Sequence, residues 1–251
     1  SSAASDVYKR QWQWSDSLFI SQQLAAEAVE QVFAGRNLGV SLEAIFSRHK
    51  NITPQQRAVA QDLSYGALRF YGQVASLLSQ LLEKPLPDAR VRCLLLVALY
   101  QLQHDKAATH TVVDQAVKAA SAFKKPWAKG LVNGVLRNFL RQQDALLAKL
   151  KGNEIAEFSY PEWWINKLKF QYPENWQAML SAGNQHPPMT LRVNQRYISA
   201  PDYLAKLKAA GIEAELLGGE AVMLEKPLPV DKIPGFFEGE VSVQDFGAQI
   251  A

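Results

Sequence analysis

Four polar residues recur at every fourth position of one segment, where their side chains can act together. They are Lys129, Asn133, Arg137 and Arg141. In a helix, residues four apart lie on the same side, so three cations and an amide would form a row. Guanidinium and ammonium groups bind phosphate oxygens, and an amide both donates and accepts hydrogen bonds. The spacing therefore predicts a helix surface that contacts phosphate groups.

A second set of polar residues, Arg192 and Asn194, lies two apart in a strand-like segment and would point to the same side of a sheet. We take both sets as candidate ligand-contacting residues. Two other interpretations stay open. Arg192 would pair with a carboxylate, or Asn133 and Gly134 would face a closely packed helix, with Asn133 bonding to its backbone.

Residues of the usual catalytic patterns are missing from the sequence. It has no glycine-rich phosphate loop, no Cys and His cluster with metal-ligand spacing, and no nucleophile elbow. Cys93 lies in an apolar run, which favours core packing over a reactive thiolate. His104 and His110 are six apart, so they lack the spacing of a helical metal pair and are interpreted as turn or cap residues. We expect no catalytic, cofactor-binding or metal-binding residue in this chain.

Helical periodicity predicts the elements that position the row. Residues 129–141 place six apolar residues on the side opposite the row, which fits a core-facing helix. These are Leu131, Val132, Val135, Leu136, Phe139 and Leu140. Residues 93–99 are apolar on every side, as in the buried centre of a bundle.

Helix starts are predicted from capping residues. Thr53 and Gln56 form a capping-box pattern around Pro54, which fits the first helical turn. Thr111, with Asp114 three residues on, predicts the cap of a helix over residues 112–120.

After residue 150 the pattern changes to turns and short strands. Eight of the 12 prolines follow this point. Alternating apolar residues predict a strand, a helix and then further strands, which indicates a small α+β domain with an antiparallel sheet. We expect Trp163 and Trp164 to pack into a core rather than to stack on bases. The predicted fold class is mainly α, a helical bundle followed by this small domain.

Charge is distributed unevenly between the two parts. Residues 1–150 carry 18 Lys and Arg against 11 Asp and Glu, hence 18 − 11 = +7, whereas residues 151–251 carry 9 against 13, hence 9 − 13 = −4. This asymmetry indicates that the first part meets a polyanion, although a solvated basic surface would give the same count.

Compartment is inferred from composition. A single cysteine forms no internal disulfide, which fits a reducing, cytoplasmic setting. No apolar run reaches about 18 residues and no secretory signal is seen, so we expect no membrane association.

Five segments resemble known families. Residues 130–137, Gly-Leu-Val-Asn-Gly-Val-Leu-Arg, and residues 99–102, Leu-Tyr-Gln-Leu, resemble the NusB family of RNA-binding helical domains. Residues 160–164, 187–194 and 243–245 are similar to the linker and small domain of the RsmB/Fmu family of bacterial 16S ribosomal RNA cytosine-5 methyltransferases.

The resemblance implies a division of the chain. We predict a non-native or disordered lead over 1–15, a NusB-like RNA-binding domain over 16–150, a helical linker over 151–185 and a small α+β domain over 186–251. In that family an S-adenosylmethionine-binding domain follows and supplies both catalytic cysteines. The resemblance thus implies a chain that is truncated before this domain, holds no cofactor itself and is inactive alone, with S-adenosylmethionine used by the full-length parent.

The resulting functional prediction is the RNA-binding N-terminal portion of a 16S ribosomal RNA cytosine-5 methyltransferase. Its expected partner is small-subunit ribosomal RNA, with no metal and a monomeric state. Two alternatives stay open, a stand-alone NusB-like antitermination factor and a helical protein-interaction module. Lys129, Asn133, Arg137, Arg141, Arg192 and Asn194 are the candidate RNA-binding residues.

Overall fold

A computed structural model gives the structure of residues 2–104, 107–185 and 187–250, with the side chains of residues 2–17 left undescribed. The chain divides into two compact units, Ser1–Asn184 (unit 1) and Gln185–Ala251 (unit 2). The described residues of unit 1 form ten helices. They are α1 Ser2–Phe33, α2 Leu38–Arg48, α3 Pro54–Arg69, α4 Tyr71–Leu81, α5 Ala89–His104, α6 Thr109–Ser121, α7 Pro126–Ala148, α8 Glu154–Phe158, α9 Glu162–Gln171 and α10 Trp176–Gly183.

The start of the chain was expected to be a lead over residues 1–15, followed by a helix from about Asp16. The structure begins α1 at Ser2 instead. Since the side chains of these first residues lie outside the described part, the non-native lead stays a prediction.

The beginnings of α3 and α6 were both predicted from capping residues. The capping box of α3 is confirmed, because Thr53 Oγ1 accepts from the Gln56 amide at 3.1 Å and Gln56 Oε1 accepts from the Thr53 amide at 2.9 Å. The predicted start of α6 is wrong. This helix begins two residues before Thr111, and its N-cap residue, Ala108, has no side chain that accepts a hydrogen bond.

The core of unit 1 is built around α5. Its residues from Cys93 to Leu99 are all buried, and α5 contacts α1, α3, α4, α6 and α7. The helix is therefore surrounded on all sides, as its apolar sequence predicts. From α7, Val132, Leu136 and Phe139 enter the same core.

The last three helices of unit 1 have a small core of their own. Phe158, Ile165, Leu168 and Leu180 are buried there, with Trp164 packed against them. Trp163 was predicted to be buried as well, but its side chain is 66% exposed. Residues 163 and 164 are neighbours on a helix, about 100° apart, so only one of them faces inwards. A linker role for residues 151–185 stays a prediction.

Unit 2 contains an antiparallel sheet. Its elements are β1 Met189–Val193, α11 Ala200–Ala209, β2 Ala214–Gly218, β3 Ala221–Leu224, β4 Val241–Val243 and α12 Phe246–Ile250. The strand order is β2-β3-β1-β4, with every neighbouring pair antiparallel. Leu191 and Val222 pair across β1 and β3 and pack with Tyr203 and Leu207 of α11. An all-α bundle followed by a small α+β domain is thus confirmed. Among the described helices, none is long and apolar enough to cross a membrane.

Candidate nucleic-acid interface

The row of polar residues lies along the outer side of α7. Val132, Leu136 and Phe139 are fully buried, which fixes the rotation of the helix and turns the row outwards. Lys129, Arg137 and Arg141 are exposed and Asn133 is half-buried. As the sequence predicts, the four side chains therefore lie on one outward face of the helix. We call these four residues the α7 row.

The cations of the α7 row stay available to a ligand. Arg137 Nε donates to Asn133 Oδ1 at 2.8 Å, and Arg141 Nη2 lies 3.4 Å from Asn138 Oδ1. Within the described part of the chain, Lys129, Arg137 and Arg141 form no ion pair with a carboxylate. Their positive charge is therefore not neutralised by the described residues, and it is presented to solvent on one side of α7, before the kink at Gln142.

Two glycines beside the α7 row leave open space. A Cβ atom added at Gly130 or at Gly134 would meet no atom within 4 Å. Among the described residues, no helix packs against Gly134, and Asn133 bonds to Arg137 rather than to the backbone of a neighbouring helix. Glycine inside a helix costs about 1 kcal/mol relative to alanine. No described residue of unit 1 packs so closely against Gly130 or Gly134 that glycine is required there. Both positions therefore fit the close approach of a partner.

A groove of about 200 Å³ runs between α6 and α7 beside the α7 row. Asn133 and Arg137 line it from α7, and His110 and Asp114 line it from α6. Sequence reasoning assigned His110 to a turn and Asp114 to a helix cap, so it gave neither residue a place in a site. With the helix begun at Thr109, residues 110, 113, 114 and 117 fall on one helical face, and that spacing was the signal that could have revealed the groove.

In unit 2 the two predicted contact residues are already engaged. Arg192 Nε lies 2.7 Å from Glu220 Oε2, so the alternative of a carboxylate partner is confirmed. Asn194 Nδ2 donates to the Gly239 carbonyl at 3.0 Å, and its Oδ1 accepts from the Arg196 amide at 3.2 Å. Both residues line one open groove, as their spacing predicts. These side chains nevertheless already form hydrogen bonds within unit 2, and an RNA role for them stays a prediction.

Two titratable residues of α5 have structural roles. Cys93 is buried, and burial raises the pKa of its thiol to about 12. His104 stacks on Phe70 at 4.0 Å, and its Nε2 lies 2.8 Å from Gln73 Oε1. Burial lowers the pKa of this imidazole. His104 therefore packs the end of α5 against the α3–α4 junction. Among the described residues, no group of three or more His, Cys, Asp or Glu is placed to hold a metal ion.

The raised pKa of Cys93 leads to a testable expectation. At about pH 8, where a free cysteine is partly ionised, iodoacetamide should leave the native chain unmodified, because the thiolate that reacts is not formed in the core. In denaturing urea the same reagent should modify it fully. Intact-mass measurement of both samples checks this, and full modification without urea would contradict the buried position.

Comparison with known proteins places both units. Residues 20–141 match the NusB family, and residues 160–231 match the family described as Methyltr_RsmF/B-like, ferredoxin-like domain. The strand order of unit 2, read from the other edge, is 4-1-3-2, the order of a split βαβ sheet of that type.

Curated relatives agree with these matches. The chain is 40% identical to ribosomal RNA small subunit methyltransferase B of Pseudomonas syringae pv. tomato, over 90% of this chain and 51% of the relative. For the protein of the same name from Proteus mirabilis the identity is 40%, over 91% and 54%. The chain thus spans about half the length of the curated relatives it matches.

A solved structure, "Crystal Structure of PH0851", aligns with 92% of this chain and 54% of its own, at a TM-score of 0.58 and 16% identity. That likeness shows the fold alone. The chain therefore carries a match to the NusB family over residues 20–141, followed by a match to the Methyltr_RsmF/B-like, ferredoxin-like domain over residues 160–231, in the order that the motifs predict.

Proposed function

We propose that this chain is the RNA-holding portion of a 16S ribosomal RNA cytosine-5 methyltransferase. The observation that carries the proposal is the 40% identity to ribosomal RNA small subunit methyltransferase B over 90% of the chain. The unpaired cations of the α7 row support it, because phosphate contacts supply much of the affinity of a protein for RNA. The ferredoxin-like domain favours this role over that of a stand-alone antitermination factor, which would not require it.

The cofactor S-adenosylmethionine does not fit the described residues. The only adjacent glycines of the sequence, Gly218 and Gly219, form the hairpin turn between β2 and β3 rather than a loop leading from a strand into a helix. We assign the cofactor and the transfer of the methyl group to the part of the methyltransferase that this chain does not cover. The role left to this chain is to bind the RNA and to hold it in place.

Salt dependence of RNA binding tests the proposal. If three cations neutralise three phosphates, the logarithm of the association constant should fall with the logarithm of the salt concentration at a slope of about −2.7. Affinity for a hairpin of small-subunit ribosomal RNA should then drop about 40-fold between about 50 and about 200 mM salt. Fluorescence anisotropy measures this directly. Binding that does not change with salt would instead favour a protein-interaction module.

A further inference from the structure

Resting on the proposed function, we infer that the groove between α6 and α7 binds one unpaired nucleobase that carries an exocyclic amine. Its volume of about 200 Å³ lies below the roughly 300–1,000 Å³ of sites for drug-sized molecules. A single planar ring system is the size of ligand that this space admits. The groove also borders the α7 row, so a nucleotide whose phosphate contacts the row can direct its base into it.

The polar groups of the groove distinguish a base from a phosphate. Arg137 provides a positive charge and Asp114 a negative charge, and no ion pair within 4.0 Å joins the two. A phosphate in the groove would be repelled by the carboxylate. A base has donors and acceptors on one edge, so it can use both groups at once. The mixed charge therefore selects a base, while the phosphates stay with the exposed cations of the row.

Hydrogen-bonding capacity remains on both sides of the groove. Asp114 Oδ2 accepts from Gln115 Nε2 at 3.0 Å, whereas its Oδ1 has no hydrogen-bond partner among the described residues. Asn133 uses its Oδ1 to accept from Arg137 Nε, which leaves the Asn133 amide nitrogen and the two terminal nitrogens of Arg137 as donors. An acceptor on α6 thus faces donors on α7.

Apolar residues line the groove beside Thr109 and His110. Val113 and Val117 of α6 and Leu140 of α7 line the same groove. A flat ring can lie against these side chains while its edge reaches the polar groups. Unpaired bases of RNA are commonly held in this way, between an apolar or guanidinium surface and hydrogen bonds to the base edge.

The position of the carboxylate determines which bases fit. Cytosine, adenine and guanine each offer an amine that can donate to Asp114 Oδ1, as carboxylates accept from cytosine N4 in other complexes. Uracil presents a carbonyl oxygen where cytosine has its amine. Uracil keeps one donor on this edge, N3–H, but this donor lies between two carbonyl oxygens, and the carboxylate repels both. We therefore expect the groove to discriminate against uracil.

The experiment compares the affinity of this chain for single-stranded oligocytidylate and oligouridylate of equal length. The unmodified chain should bind oligocytidylate about tenfold more tightly. Asp114→Asn should bring the two affinities within about twofold of each other, because a neutral amide offers both a donor and an acceptor. The ratio is the readout, since loss of a negative charge raises the affinity for any RNA.

Asp144→Asn is the matched control, because Asp144 is an exposed carboxylate of α7 that does not line the groove. It should keep the tenfold preference. Equal affinity of the unmodified chain for both oligonucleotides, or a preference that survives Asp114→Asn, overturns the inference while salt-dependent binding keeps the proposed function intact. Absence of binding to both oligonucleotides and to the ribosomal RNA hairpin would overturn the proposed function itself.

Discussion

Replacing Gly72 with alanine should destabilise unit 1 by about 3 kcal/mol, the upper part of the range for overpacked sites. Gly72 lies at the contact of α4 with α8, and a Cβ atom there would lie 2.1 Å from the Ile155 carbonyl oxygen and 2.9 Å from Ser159 Cα. Both atoms belong to backbone, which does not move aside as a flexible side chain does. The helices must therefore separate.

Separation would also break a hydrogen bond at this junction, in which the Gln73 amide donates to Ser159 Oγ at 3.2 Å. Ser159 has a positive φ of 57°, a conformation that the surrounding contacts must hold in place. We expect the urea midpoint, followed by circular dichroism, to fall accordingly. Limited proteolysis of the same variant would show whether α8–α10 detach alone.

Gly134→Ala is the matched control, because the same substitution is made inside a helix but the new methyl group meets open space. It should stabilise the chain by up to about 1 kcal/mol, since alanine restricts the unfolded backbone more than glycine does. We expect the free energy of unfolding to fall in Gly72→Ala and to rise in Gly134→Ala. Equal effects on the urea midpoint and on proteolysis would contradict the close contact of α4 with α8.

The helices of unit 1 were predictable because their signals are local. Periodicity located the buried face of α7, and the Thr53 capping box located the start of α3. The start of α6 was not predictable in this way, since Ala108 carries no capping group. That error left His110 outside the predicted helix, whereas Asp114 lay inside it but was interpreted as part of the cap.

Partners across a sheet are a different case, because pairing depends on register and on residues distant in sequence. Arg192 and Glu220 are 28 positions apart, and their ion pair follows from the alignment of β1 with the turn before β3. Sequence patterns indicated the face on which Arg192 lies but could not choose between RNA and a carboxylate. The error at Trp163 was of another kind, because adjacent residues of a helix lie about 100° apart and so face different surroundings.

The α7 row carries the largest expected effect on binding. Replacing Lys129, Arg137 and Arg141 with glutamine should lower the affinity for a small-subunit ribosomal RNA hairpin about a hundredfold, at about 1 kcal/mol for each charge-assisted contact on an exposed surface. The salt slope should approach zero, because each lost phosphate contact reduces its magnitude by about one. The fold should be unaffected, since none of the three cations has a carboxylate partner among the described residues.

A triple variant elsewhere separates this effect from a general loss of charge. Arg36, Lys50 and Lys84 are exposed residues outside α7, and replacing them with glutamine changes the net charge by the same amount. This control should lower the affinity only a few-fold and keep most of the salt slope, because long-range attraction between exposed charges is screened beyond about 10 Å at moderate salt. Equal losses in the two variants would mean that RNA is attracted by the overall charge of the first part of the chain. A much larger loss for the α7 variant would assign the phosphate contacts to that helix.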